Sequence, residues 1–134
     1  MTSLQIPAEF TSIQKALDFI ETDATVAHLC GSEWLDIRLA CEEILVNIVK
    51  YAYSDCNGSI EIRCEINTGD YRLSIVIKDT GRSFNPLNHP EPNISDSAKF
   101  RDIGGLGIYL TQKVMDNVSY SRNDNTNIIT LSKK

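Results

Sequence analysis

Glu43, Asn47 and Tyr51 stand at i, i+4 and i+8 in the stretch CEEILVNIVKYAY, residues 41–53. That spacing sets them in a row along one side of an α-helix. A carboxylate and an amide oxygen one turn apart are hard donors of the kind that Mg2+ or a polarised water takes. The apolar stripe of the same helix centres near Ile44 and Ile48, so Asn47 falls roughly 100° from its middle, at the edge of a core rather than in open solvent. Taken alone, the pair also reads as a boundary amide beside a surface glutamate.

A second candidate lies in KDTGRSFNP, residues 78–86. By strict alternation Asp79 has the parity of Leu73, Ile75 and Ile77, which puts a carboxylate on the core face at the end of a strand. A buried carboxylate is costly unless a donor meets it, and the exocyclic amine of a base serves as well as a protein group. Gly81 lets the chain turn or a ligand come close. The plainer alternative is a strand end followed by an Asp-Thr-Gly turn.

The third is DIGGLGIYL, residues 102–110, with three glycines in four positions at the start of a helical pattern. Unpaired backbone N–H groups at a helix start, with the dipole behind them, favour an anion such as a phosphate. The stretch is neither GxxxxGK[ST] nor a GxGxxG that follows a strand, and a flexible hinge has the same look. Together the three stretches supply a metal ligand, a base reader and a phosphate cradle, the parts of an ATP site.

The elements that must hold these groups follow from periodicity. Leu4 and Ile6 begin a strand, and Pro7 and Glu9 lead into a helix through Phe10, Ile13, Ala16, Leu17 and Ile20, closed by a polar break at 21–25. A second helix is expected over 33–53, with Trp34, Ile37, Cys41, Ile44, Ile48 and Ala52 as its apolar stripe. SDCNG ends it. The period then changes to two over 60–66 and again over 71–79, with NTGD between them, which makes a hairpin. Residues 85–103 carry three prolines and little periodicity, as lids and binding loops do. A helix with Leu106, Leu110, Val114 and Met115 and two short strands, 118–122 and 126–132, complete the chain. The order β-α-α-β-β-α-β-β predicts an α+β two-layer sandwich, one mixed, mostly antiparallel sheet with helices on one face, as a single domain over 1–134.

Composition narrows the class. A net charge of −5 over 134 residues argues against a protein that tracks a phosphate backbone, which needs a basic stripe. Cys30, Cys41, Cys56 and Cys64 form no CxxC pair, so they read as reduced thiols, Cys41 and Cys64 as small core residues. With no apolar stretch of membrane-spanning length and no signal-like N-terminus, a cytoplasmic location and no membrane partner are expected.

The three stretches in this order resemble the boxes of the GHKL, or Bergerat-fold, ATPases, and within them the small anti-sigma-factor serine kinases of the RsbW type. The resemblance covers nearly the whole chain. EEILVNIVKYAY is similar to the family's N box, which implies Asn47 as the Mg2+ ligand and Glu43 as the general base. DTGRSFNP resembles the G1 box, implying Asp79 as the partner of the adenine amine and Gly81 as the residue that admits the base. GGLGIYL resembles the G2 box, implying Gly104, Gly105, Leu106 and Gly107 around the phosphates, and Thr126 takes the place of a threonine near the adenine pocket. Tyr51 stands where many relatives carry His, and Asn125 where Gly is common. Lys15 and Arg101 are further candidates for phosphate and lid contacts.

The resemblance implies a kinase that uses ATP and Mg2+ to phosphorylate a serine of a small STAS-type anti-sigma-factor antagonist, and that otherwise sequesters a sigma factor, as a homodimer. The alternative is a regulatory module that binds ATP and partners without kinase activity. A sensor histidine kinase fits less well, since no helical hairpin with a phosphoacceptor His precedes the N box.

Overall fold

The computed structural model describes residues 2–53, 58–87 and 106–134. Strand β1 is Thr2–Pro7. A single 3-10 turn, Phe10–Ser12, then feeds α1, Ile13–Val26. Helix α2, Ser32–Asn47, runs without a break into a π turn, Ile48–Ala52. Strands β2, Ser59–Thr68, and β3, Tyr71–Asp79, form the hairpin, helix α3 is Leu106–Val114, and β4, Asn117–Asn123, and β5, Thr126–Lys133, close the chain.

Among the described residues the sheet has five strands, in the order β1-β2-β3-β5-β4. The α+β layering is as expected, and every described pairing is antiparallel, so the mostly antiparallel sheet is here antiparallel throughout those pairs. Alternation decides which face is covered: Ile60, Ile62, Cys64, Leu73, Ile75, Ile77, Ile129 and Leu131 are buried on one side. Against them pack Ile37, Cys41, Ile44 and Ile48 of the second helix and Ala16, Leu17 and Ile20 of the first.

Two boundaries differ from the periodicity reading. Residues 21–25 are helical, because Asp23 and Ala24 are buried and Thr22 and Thr25 return their hydroxyls to the carbonyls one turn back. The long second helix ends its α geometry at Asn47 and widens by one residue per turn over 48–52. Such π turns gather at functional sites, and this one begins directly after Asn47. The β4–β5 connection uses Asp124 and Asn125, both at positive φ (50° and 65°), a two-residue turn that polar residues with short side chains tolerate. Asn125 therefore does there what a glycine does elsewhere.

Candidate functional site

Asn47 is only 4% exposed, deeper than the edge position that a single helix projection predicts. On this helix packs α3, with Gly107 at Glu43, while Lys133 joins the far end of α3 to α2 by binding the Val114 carbonyl and pairing with Asp36 at 3.8 Å. Asn47 Nδ2 donates to Glu43 Oε1 at 3.2 Å. This fixes the amide so that its oxygen, the hard donor, points away from the carboxylate. A methyl group on Gly107 would overlap the Glu43 carboxyl, so the absence of a side chain there is what lets α3 reach the Glu43–Asn47 pair.

Asp79 is also only 4% exposed, as its strand parity requires. Its Oδ1 accepts the Gly81 N–H at 3.0 Å and Asn127 Nδ2 at 2.9 Å. Among the described residues no hydrogen bond reaches Oδ2. Burial pushes the acid above the usual carboxylate range, and the bonds from Asn127 and Gly81 and the charge of Arg122 pull it partway back. Gly81 is buried, and a Cβ on it would meet the Ala52 carbonyl at the end of the π turn. Close packing of the turn on the helix is thus one demand that only glycine meets here.

Arg82 completes that junction. Its backbone N–H donates to the Ala52 carbonyl at 3.1 Å and its Nε to the Tyr51 carbonyl at 2.6 Å, satisfying acceptors left open by the end of the helix. The Tyr51 ring packs on Phe84, centroids 5.2 Å apart and tilted by 32°. Tyr51 is therefore an aromatic strut between the helix and the segment after Asp79. Tyr53 adds another, its hydroxyl accepting the Thr80 N–H at 2.7 Å and donating to the Ser59 carbonyl at 3.0 Å.

Sequence reasoning overlooked Asn127. It is 2% exposed, faces Asp79 across the β3–β5 pair, and sits beside Arg122 across β4–β5. The signal was present, since Asn127 shares parity with Ile129 and Leu131 just as Asp79 does with Ile75 and Ile77. Thr126, the residue singled out instead, has the opposite parity and lines a shallow pocket on the outer sheet face with Ser59, Glu61 and Lys78. Gly104, Gly105 and Arg101 lie outside the described residues. Leu106 is the first residue of α3, and Lys15 is exposed in the first turn of α1.

The arrangement brings Glu43, Asn47 and Gly107 together at one point of α2 and joins Asp79, Gly81 and Asn127 to the far end of the same helix at Ala52. Glu43 and Ala52 are nine positions apart in the chain, roughly 13 Å at the rise of a helix. At one end are hard oxygen donors fit for a divalent cation, at the other a carboxylate oxygen fit for the amine of a base. The donor chemistry at both ends fits a metal-bound purine nucleotide.

Comparison with known proteins points the same way. The serine-protein kinase RsbW of Staphylococcus epidermidis is 37% identical over 90 residues, 63% of this chain and 55% of that protein. RsbW of Bacillus licheniformis is 31% identical over 91 residues, 62% of this chain and 54% of its own. RsbW of Listeria innocua is 26% identical over 131 residues, 95% of this chain and 83% of its own. The match thus spans little more than half the length of the first two relatives. The sequence model of the histidine kinase-like ATPase domain matches residues 6–133, and with the box residues arranged as described, the chain belongs to the histidine kinase-like ATPase domain family.

Proposed function

We propose that the chain binds MgATP along α2 and transfers the γ-phosphoryl group to a serine of a small STAS-type antagonist protein, and that in its other binding state it holds a sigma factor. The observation that carries this reading is the contact of Gly107 with Glu43 beside the Asn47–Glu43 hydrogen bond. It places a helix start, a carboxylate and an amide oxygen at one spot. Asn47 Oδ1 would hold Mg2+, which when bound neutralises charge on the phosphoryl oxygens. Glu43 takes the proton of the serine hydroxyl, and Asp79 Oδ2 accepts a hydrogen bond from the adenine amine. Gly104, Gly105, Leu106 and Gly107 would line the phosphates, while Thr126, one residue before Asn127, lies on the opposite face of the sheet from Asp79. A sigma-factor partner would place the protein in the cytoplasm; among the described residues no helix is long and apolar enough to cross a membrane.

The test is transfer of γ-labelled phosphate from ATP to proteins captured from the source cell. A phosphoserine on a captured protein is expected from the native chain, and at least about a hundredfold less from Asn47→Ala, since one preorganised charge-stabilising group is worth that much. Equal transfer by Asn47→Ala would remove the metal-ligand role. A second reading rests on the same contact: a Glu43 packed by Gly107 and tied to Asn47 has a structural task that a nucleotide-dependent binding module also needs. Nucleotide-dependent capture with no phosphoserine on any captured protein selects it.

A further inference from the structure

We propose that Asn127 is a positioning residue that aims one oxygen of Asp79 at a base amine, and that Arg122 and Tyr120 of β4 hold Asn127 in the orientation this requires. The inference rests on the reading of Asp79 as the base reader.

A carboxamide offers two N–H donors and two acceptor lone pairs, and at Asn127 all are used. Nδ2 donates to Asp79 Oδ1 at 2.9 Å and to the Arg82 carbonyl at 2.8 Å. Oδ1 accepts from the Tyr120 hydroxyl at 2.6 Å and from Arg122 Nη1 at 2.8 Å. Turning the amide over would set its oxygen against a carboxylate and a carbonyl, and its N–H groups against a guanidinium. The two strand-borne donors therefore decide which way Asn127 faces, and so which Asp79 oxygen is occupied. With the Gly81 N–H also on Oδ1, the lone pairs that no described residue takes are those of Oδ2. Arg122 Nη1 reaches the Gly81 carbonyl as well, at 3.2 Å. One exposed arginine thus holds both the amide and the turn that follows Asp79.

The register explains why this clamp exists here. Asp79 pairs with Asn127 and Asn127 with Arg122, so the three lie side by side across β3, β5 and β4 on one face. The sheet edge strand, without touching the nucleotide, would then set base selectivity through two relayed hydrogen bonds.

The probes are MgATP and the Mg2+ complex of purine riboside triphosphate, which carries hydrogen in place of the 6-amino group. By titration calorimetry the native chain is expected to prefer ATP by about tenfold or more, the usual worth of a hydrogen bond to a charged group. Arg122→Ala and Tyr120→Phe, each checked for an unchanged circular dichroism spectrum, are expected to lose most of that preference while binding the deaminated analogue nearly as the native chain does. In an Asp79→Asn background, Arg122→Ala is expected to change ATP affinity by less than about twofold, because coupled residues are not additive. Undiminished preference for ATP in Arg122→Ala, or full additivity with Asp79→Asn, overturns the clamp while leaving Asp79 as base reader. A native chain that binds both nucleotides equally overturns the base reading and the clamp with it.

Discussion

A carboxylate kept in a nearly dry place carries its own signature in stability. Burial raises the acid of Asp79, so between the ordinary aspartate value and the raised folded value the native state holds more protons than the unfolded one. Folding stability must then fall as pH rises through that window and level off above it. Asp79→Asn removes this component while its side-chain oxygen can still accept from Gly81 and Asn127. Thermal melts across the acid range are expected to show a smaller decline with pH for Asp79→Asn than for the native chain, and at neutral pH a variant at least as stable yet poor at binding ATP. An unchanged pH slope would mean that Asp79 is not the strained group. The parity rule exposed Asp79 from sequence, and it would have exposed Asn127 had the polar residue of the last strand been given the same weight. What parity could not foretell is which oxygen is occupied, because that depends on donors from two other strands.

At the scale of elements, two glycines join three segments, and they differ in what surrounds them. A methyl on Gly81 meets the Ala52 backbone carbonyl, which cannot move without the helix. Gly81→Ala is expected to cost about 1–3 kcal/mol, as overpacking does, read as a fall in melting temperature. A methyl on Gly107 meets the end of the Glu43 side chain instead, which can swing aside, and alanine is the better helix former by about 1 kcal/mol. Gly107→Ala is therefore expected to melt within a few degrees of the native chain but to lose phosphoryl transfer, because Glu43 leaves Asn47. If Gly107→Ala kept full activity, the proximity of α3 to Glu43 would have no catalytic meaning. Alternation over 60–66 and 71–79 made the β2–β3 hairpin readable to within two residues. The π turn and the continuation of α1 through 21–25 were not readable, because the contacts that decide them come from Arg82, Asp23 and Ala24 after folding.

On the scale of the molecule, one core underlies both ends of the site, so nucleotide binding and global stability must be linked. Its cysteines report on this. Cys41 and Cys64 are buried and free while Cys30 is exposed. Burial, reinforced by the charge of Asp23, pushes the Cys64 thiol up to about 12, and burial raises Cys41 further still. A thiol reagent at neutral pH is expected to modify Cys30 quickly and Cys41 and Cys64 only through unfolding, more slowly when MgATP is present. Labelling of Cys41 as fast as Cys30, followed by peptide mapping, would contradict the packed core. The claim on which everything else depends is that a nucleotide lies along α2 with its base at Asp79. Calorimetric titration with MgATP and MgGTP tests it most directly: the native chain is expected to bind ATP and to discriminate against GTP, whose 6-position carries an acceptor, and Asp79→Asn to lose that discrimination. Native-like ATP affinity and selectivity in Asp79→Asn would contradict it.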